Sequence, residues 1–173
     1  SPAAQWLHGE LDAADLRRAI QSWIDRHEVL RTVYPANGGE PYQKILATQT
    51  LPWIERSAEG DDLDARREDA FRIAREETAK PFALQVGPPV RAALIAVAPD
   101  LHLLVLTFHH IAIDGWSITS LFGEMFEAYN RLRAGEAIDT TAPELQIADV
   151  ALWQHETWGG ERLRPQLDFW KQH

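Results

Sequence analysis

The sequence predicts an α+β domain in which helices alternate with short strands and hairpins. Two observations carry this. Apolar residues recur at helical spacing in Leu16–Ile24, Leu63–Ala74 and Ile118–Leu132. Between and around these lie short runs of branched apolar residues, bounded by Gly, Pro, Asn and Asp. That is the pattern of strands joined by tight turns.

Bulk properties narrow the class. A chain of 173 residues has one-domain length, and a hydrophobic content of 45% supplies a core. Seven Trp belong in that core or at an interface. There are 26 acidic against 17 basic residues, a net charge of −9. Nucleic acid and anionic membranes require a basic footprint, so neither is an expected partner. No apolar run reaches a bilayer-spanning length, and no signal-peptide pattern is visible from Ser1. The absence of Cys removes disulfides, thiolate metal sites and a cysteine nucleophile. The expectation is a soluble, cytoplasmic domain.

The elements follow in order. Ala4–His8 reads as a short strand closed by Gly9. Asp12 occupies an N-cap position with Asp15 three residues on, and a helix is expected from about Ala13 to Glu28. Asn37-Gly38-Gly39 marks a hairpin turn between Thr32–Tyr34 and Tyr42–Ala47, with Pro35 and Pro41 at its margins. Leu51–Glu55 is a further short strand. Asp61, Asp62 and Asp64 lack calcium-loop spacing and suit a helix N-terminus, and that helix runs to about Ala79 before Pro81. Gly87-Pro88-Pro89 feeds a strand, Val90–Ala98. Pro99-Asp100 turns it back into Leu101–Phe108. An amphipathic helix runs from Gly115 to about Arg133, stopped by Gly135. A loop to Ala142 and two further helical stretches, around Gln146–Gln154 and Leu163–His173, complete the chain. No repeat, low-complexity tract or internal boundary is visible.

The chemistry concentrates in Leu101–Ser117, LHLLVLTFHHIAIDGWS. Successive side chains on a strand point to opposite faces. If the strand runs through His109 and His110, only one imidazole enters a given cavity. That argues against a metal site, which needs convergent ligands. It leaves an imidazole at a strand end, Asp114 four positions after His110, and Gly115 to allow an unusual backbone. Imidazole is the side chain best matched to proton transfer near neutral pH. Ser117 or Asp114 is placed to cap the following helix, whose first N–H groups would then point towards the His110 region.

HHIAIDGWS resembles the HHxxxDG signature of nonribosomal peptide synthetase condensation domains, in the chloramphenicol-acetyltransferase-like superfamily. RHEVLRTVY, Arg26–Tyr34, resembles the family's RHExLRTxF motif, with Tyr34 in place of Phe. The Pro-Phe-x-Leu and Gly-Pro-Pro-x-Arg spacings between Pro81 and Arg91 also match. QIADVALWQ resembles the YxDYAxW motif, with Ile147 and Val150 where aromatic residues are usual. The resemblance implies a two-layer sandwich, a mostly antiparallel mixed sheet packed by helices. It covers nearly the whole chain but about half of the family's domain. Residues 1–173 then correspond to the N-terminal lobe, without the C-terminal lobe that forms the facing wall of the catalytic channel.

The resemblance also implies an activity. The amine of an acceptor aminoacyl thioester attacks a donor thioester, both carried on phosphopantetheine arms of donor and acceptor peptidyl carrier proteins. No cofactor is expected on this lobe itself. Its other partners would be the C-terminal lobe and neighbouring synthetase modules. His110 is the expected catalytic residue, with His109, Asp114 and Gly115 structuring the site. An Arg of the second motif, Arg26 or else Arg31, is expected to pair with Asp114. The lobe alone is expected to be inactive. Alternatives are a free-standing HHxxxDG acyltransferase using an acyl-CoA or acyl-carrier donor, a His109–Asp114 dyad of the glycerolipid-acyltransferase type, and a non-catalytic carrier-binding lobe.

Overall fold

The computed structural model describes residues 1–158 and 162–172. It divides into two compact units, Ser1–Ala142 and Pro143–His173. The division falls at the end of the predicted 135–142 loop, and no composition shift marks it.

The first unit is built on a four-stranded mixed sheet. Its strands are β1 (Pro2–His8), β6 (Trp53–Ser57), β7 (Val90–Ala98) and β8 (Leu101–Phe108), in the order β1-β8-β7-β6. β8 pairs antiparallel with both β1 and β7, while β6 joins β7 in parallel. The parallel pair requires a crossover, and α2 (Leu63–Ala79) supplies it. β1 begins at Pro2, two residues earlier than its sequence suggests, because Pro2 and Ala3 find register opposite Thr107 and Leu106.

The alternation along β7 and β8 separates two apolar faces. Val90, Ala92, Leu94, Leu104, Leu106 and Phe108 pack against α1 (Ala13–Arg26) and α3 (Gly115–Arg133). Ala93, Ile95, Val97, Leu103 and Val105 pack against Ala70, Ile73 and Ala74 of α2. The expected mixed, mostly antiparallel sheet packed by helices is present, but the expected two layers are corrected to three: α1 and α3 cover one face and α2 the other, because hydrophobic side chains emerge from both sides of β7 and β8.

The helix ends follow local chemistry. The Asp15 N–H donates to Asp12 Oδ1 at 2.9 Å, capping α1, and the Ala65 N–H donates to Asp62 Oδ1 at 2.8 Å, capping α2. α1 stops at Arg26, short of the expected Glu28, because His27 is extended. A 3-10 turn, Glu28–Arg31, follows. α1 and α3 are tied together where Arg133 meets Asp12 at 2.9 Å and Asp15 at 3.2 Å.

The predicted hairpin is present but split. β2 (Thr32–Val33) pairs with β5 (Lys44–Ile45), and β3 (Ala36–Asn37) pairs with β4 (Glu40–Pro41). Gly38 and Gly39 make the turn with φ of 62° and 93°, the region that glycine tolerates. Pro35, lacking an N–H, sits between the two ladders. The second unit contains α4 (Ile147–Trp158) and α5 (Arg164–Gln172). No helix among the described residues is long and apolar enough to cross a membrane.

Candidate functional site

The strand that delivers the histidines stops one residue short of them. β8 ends at Phe108, and His109–Ala112 forms a turn closed by the Ala112 N–H donating to the His109 carbonyl at 3.0 Å. Strand alternation therefore does not govern His109 and His110. Both line one cleft, of about 460 Å³, with Thr78 from the last turn of α2, Lys80 and Phe82 just beyond it, and Ser1 and Pro2 at the start of β1. The expectation that only one imidazole would reach a shared cavity is corrected by this turn.

The two rings nonetheless differ. His109 is half-buried and fixed on several sides. Its backbone N–H donates to the Pro89 carbonyl at 2.8 Å, continuing the β7–β8 ladder. The Ile111 N–H donates to its Nδ1 at 3.1 Å. Accepting there leaves Nδ1 without a proton and places the ring proton of neutral His109 on Nε2. The ring also meets the Phe82 ring edge-on at 5.9 Å. His110 is exposed, and its Nε2 lies 2.6 Å from the Ser1 hydroxyl, within hydrogen-bonding distance.

Phe82 is held in turn by Arg91, whose guanidinium stacks 4.3 Å from the ring centroid. The same guanidinium donates to the carbonyls of Thr78, Lys80 and Pro81, at the end of α2. Burial holds the Arg91 pKa below the usual arginine value, with Glu77 pulling the other way. The Pro-Phe-x-Leu and Gly-Pro-Pro-x-Arg stretches thus meet as one assembly, running from the end of α2 through Arg91 and Phe82 to His109. Their spacing stood out in the sequence, but nothing there identified Phe82 and Arg91 as supports of the histidine turn.

Asp114 and Gly115 sit elsewhere in the loop. Asp114 caps α3: its Oδ1 accepts from the Ser117 N–H at 2.9 Å and from the Ser117 hydroxyl at 2.8 Å. The Ser117 N–H, followed by its hydroxyl, holds the carboxyl below the usual aspartate pKa. This is the cap expected at the start of α3, and it takes up the Ser117 N–H. It also engages the carboxylate expected to pair with Arg26 or Arg31. Arg26 instead donates to Glu124 Oε2 of α3 at 2.8 Å and to the Thr141 carbonyl at 2.9 Å. Arg31 donates to the Leu46 carbonyl at 2.6 Å and lies 3.4 Å from Glu28. The second motif therefore braces α3 through Glu124, which His27 also approaches at 3.3 Å. Nothing in the sequence marked Glu124.

Gly115 opens α3 without a positive φ, and a Cβ there would meet nothing within 4 Å. The unusual backbone expected at this position is absent. Beside it, Trp116 is 90% exposed. A His109–Asp114 dyad is disfavoured on the same geometry: Nδ1 of His109 is an acceptor, and the Asp114 carboxylate is turned to Ser117.

A family model of the condensation domain matches residues 1–173. The chain belongs to the condensation domain family. It is 38% identical over 99% of its length to a probable non-canonical nonribosomal peptide synthetase, CymA, from Salinispora arenicola. It is 39% identical over 98% of its length to a linear gramicidin synthase of Brevibacillus parabrevis. It spans only 2% of each of those proteins. Among solved condensation-type structures, the X-domain from teicoplanin biosynthesis matches with a TM-score of 0.86 and 32% identity, over 100% of this chain and 38% of that one. The starter condensation domain of rhizomide synthetase RzmA shares the fold, with a TM-score of 0.82 at 20% identity over 99% of this chain and 42% of that one.

Two outcomes test the support of the site. Arg91→Gln removes the fork on the α2 carbonyls and the stack on Phe82. It is expected to cost about 1–3 kcal/mol, measured by urea unfolding, and to move the His109 ring resonances. Arg91→Lys is expected not to restore the fork, because an ammonium cannot reproduce its planar set of donors. Gly115→Ala is expected to leave the melting temperature unchanged or to raise stability by up to about 1 kcal/mol. A lowered melting temperature would mean that the glycine serves the fold.

Proposed function

We propose that this chain is the N-terminal lobe of a peptide-bond-forming condensation domain, and that His110 manages the proton of the reaction. The carrying observation is the contrast between the two imidazoles. His109 is half-buried, with Nδ1 and its backbone N–H engaged. His110 stands exposed at the cleft, its Nε2 within hydrogen-bonding reach of a hydroxyl. Family membership over residues 1–173 and the synthetase relatives support the reaction class.

In this reading the acceptor is an aminoacyl thioester with a free amine, and the donor is an acyl or peptidyl thioester. Both arrive on phosphopantetheine arms of carrier proteins. The amine nitrogen attacks the donor carbonyl, a C–N bond forms and the C–S bond breaks. His110 accepts the proton shed by the nitrogen and returns it to the departing thiolate. The lobe itself requires no bound cofactor. Orientation of two tethered reactants can supply about 7–11 kcal/mol of the barrier, so the demand on the base is modest. Asp114 does not take the proton: it shapes the start of α3. The facing wall of the channel comes from a C-terminal lobe, and further synthetase modules supply the carriers.

A second reading, a docking lobe without chemistry, is favoured by one similarity. The teicoplanin X-domain, solved in complex with OxyB, is 32% identical to this chain. The exposed His110 favours the catalytic reading.

In a complete synthetase containing this chain, His110→Ala is expected to lower condensation by about 10²–10⁴-fold, with carrier loading unchanged. Wild-type turnover in that variant would remove His110 from the chemistry and favour the docking reading. The 173-residue chain alone is expected to form no dipeptide from loaded carriers, as read by mass spectrometry.

A further inference from the structure

The cleft containing His110 departs from the charge of the chain around it. The whole sequence is acidic, at −9. Yet the described residues lining the cleft include Arg75 and Lys80 and no carboxylate. The two cations are not equivalent. Lys80 is bound to the carboxylate of Glu77, a buried residue that Arg56 also approaches at 3.9 Å. Arg75 is exposed on the last turns of α2 and makes no ion pair or side-chain hydrogen bond among the described residues. Its neighbours on the helix, by contrast, are paired: Arg72 binds Asp69 at 2.8 Å and Glu76 at 2.6 Å. An arginine presents a fork of donors matched to a carboxylate or phosphate. Here that fork is unengaged among the described residues, on a side chain that lines the same cleft as His110.

We infer that Arg75 is a specificity-determining residue, selecting a substrate whose acyl or aminoacyl group carries a carboxylate close to the bond being formed. This rests on the reading of His110 as the reacting centre. Arg75 touches none of the reacting atoms in this scheme. The anion could belong to the substrate side chain or to the phosphate of the carrier arm. The cleft favours the side chain, because Arg75 and His110 line one pocket of about 460 Å³ whereas the phosphate lies at the far end of the pantetheine from its sulfur.

The test uses the complete synthetase, with paired substrates loaded on its carriers: aspartyl against asparaginyl and glutamyl against glutaminyl, at donor and acceptor in turn. In one of the two positions the acidic substrate is expected to condense about fivefold faster, the upper end for a solvent-exposed ion pair. Arg75→Met is expected to abolish that preference while leaving the amide substrates at wild-type rates. Arg75→Lys is expected to keep part of it. The phosphate of the carrier arm is common to both members of each pair, so a preference for the acid is read from the side chain alone. A lower rate for the acid in both positions overturns the inference. Equal rates for acid and amide in the wild type, or a preference that survives Arg75→Met, also overturn it. Each of these results leaves the role of His110 standing. Loss of that role is read separately, from amide substrates condensing normally in His110→Ala.

Discussion

Everything around the candidate site depends on β8 being paired on both edges and covered on both faces. Its backbone is laddered to β1 on one side and to β7 on the other. Its side chains enter one core shared with α1 and α3 and another shared with α2. A strand held in this way has a fixed end point. The turn at His109–Ala112 begins where the ladder runs out, so the imidazoles inherit the rigidity of the sheet without being part of it. A side chain at the end of a fully paired strand is placed accurately while staying open to a ligand.

The turn is then secured from two directions. On the α2 side, Arg91 gathers the last carbonyls of the helix and lays its guanidinium over Phe82, which abuts His109. On the α1 side, Arg26 and His27 reach Glu124 of α3. These supports act through the flanking helices and not through Asp114, whose carboxylate stays with the backbone of its own helix. The acid of the motif thus sets the direction in which α3 leaves the turn, and the second motif fixes where that helix lies.

What the sequence discloses follows from how local each signal is. The β7–β8 hairpin is legible because a period-two apolar pattern and Pro99-Asp100 lie side by side in the chain. Asp12 and Asp62 are legible as caps because the cap and its partner are three residues apart. Family motifs locate His110, Phe82 and Arg91 without revealing who touches whom. The Arg26–Glu124 pair is not legible: its partners are 98 residues apart, and either charge alone is an ordinary surface residue. The early end of β8 is equally hidden, since His109 still donates to Pro89 as a strand residue would, and only the closing of the turn at Ala112 separates it. The open fork of Arg75 emerges only once its described neighbours on α2 have found their carboxylates.

The pairing of β1 with β8 also sets a timetable. Ser1 and Phe108 are hydrogen bonded across 107 residues of chain, whereas β7 and β8 are joined by two residues. A short hairpin closes in about 1–10 μs, while a long loop forfeits more chain entropy before any contact rewards it. The histidine turn therefore acquires its β7 side early and its Ser1–Pro2 side late. The groove beside His110 comes into being only when the opening strand docks, which makes the completed cleft a reporter of the slow, non-local phase of folding.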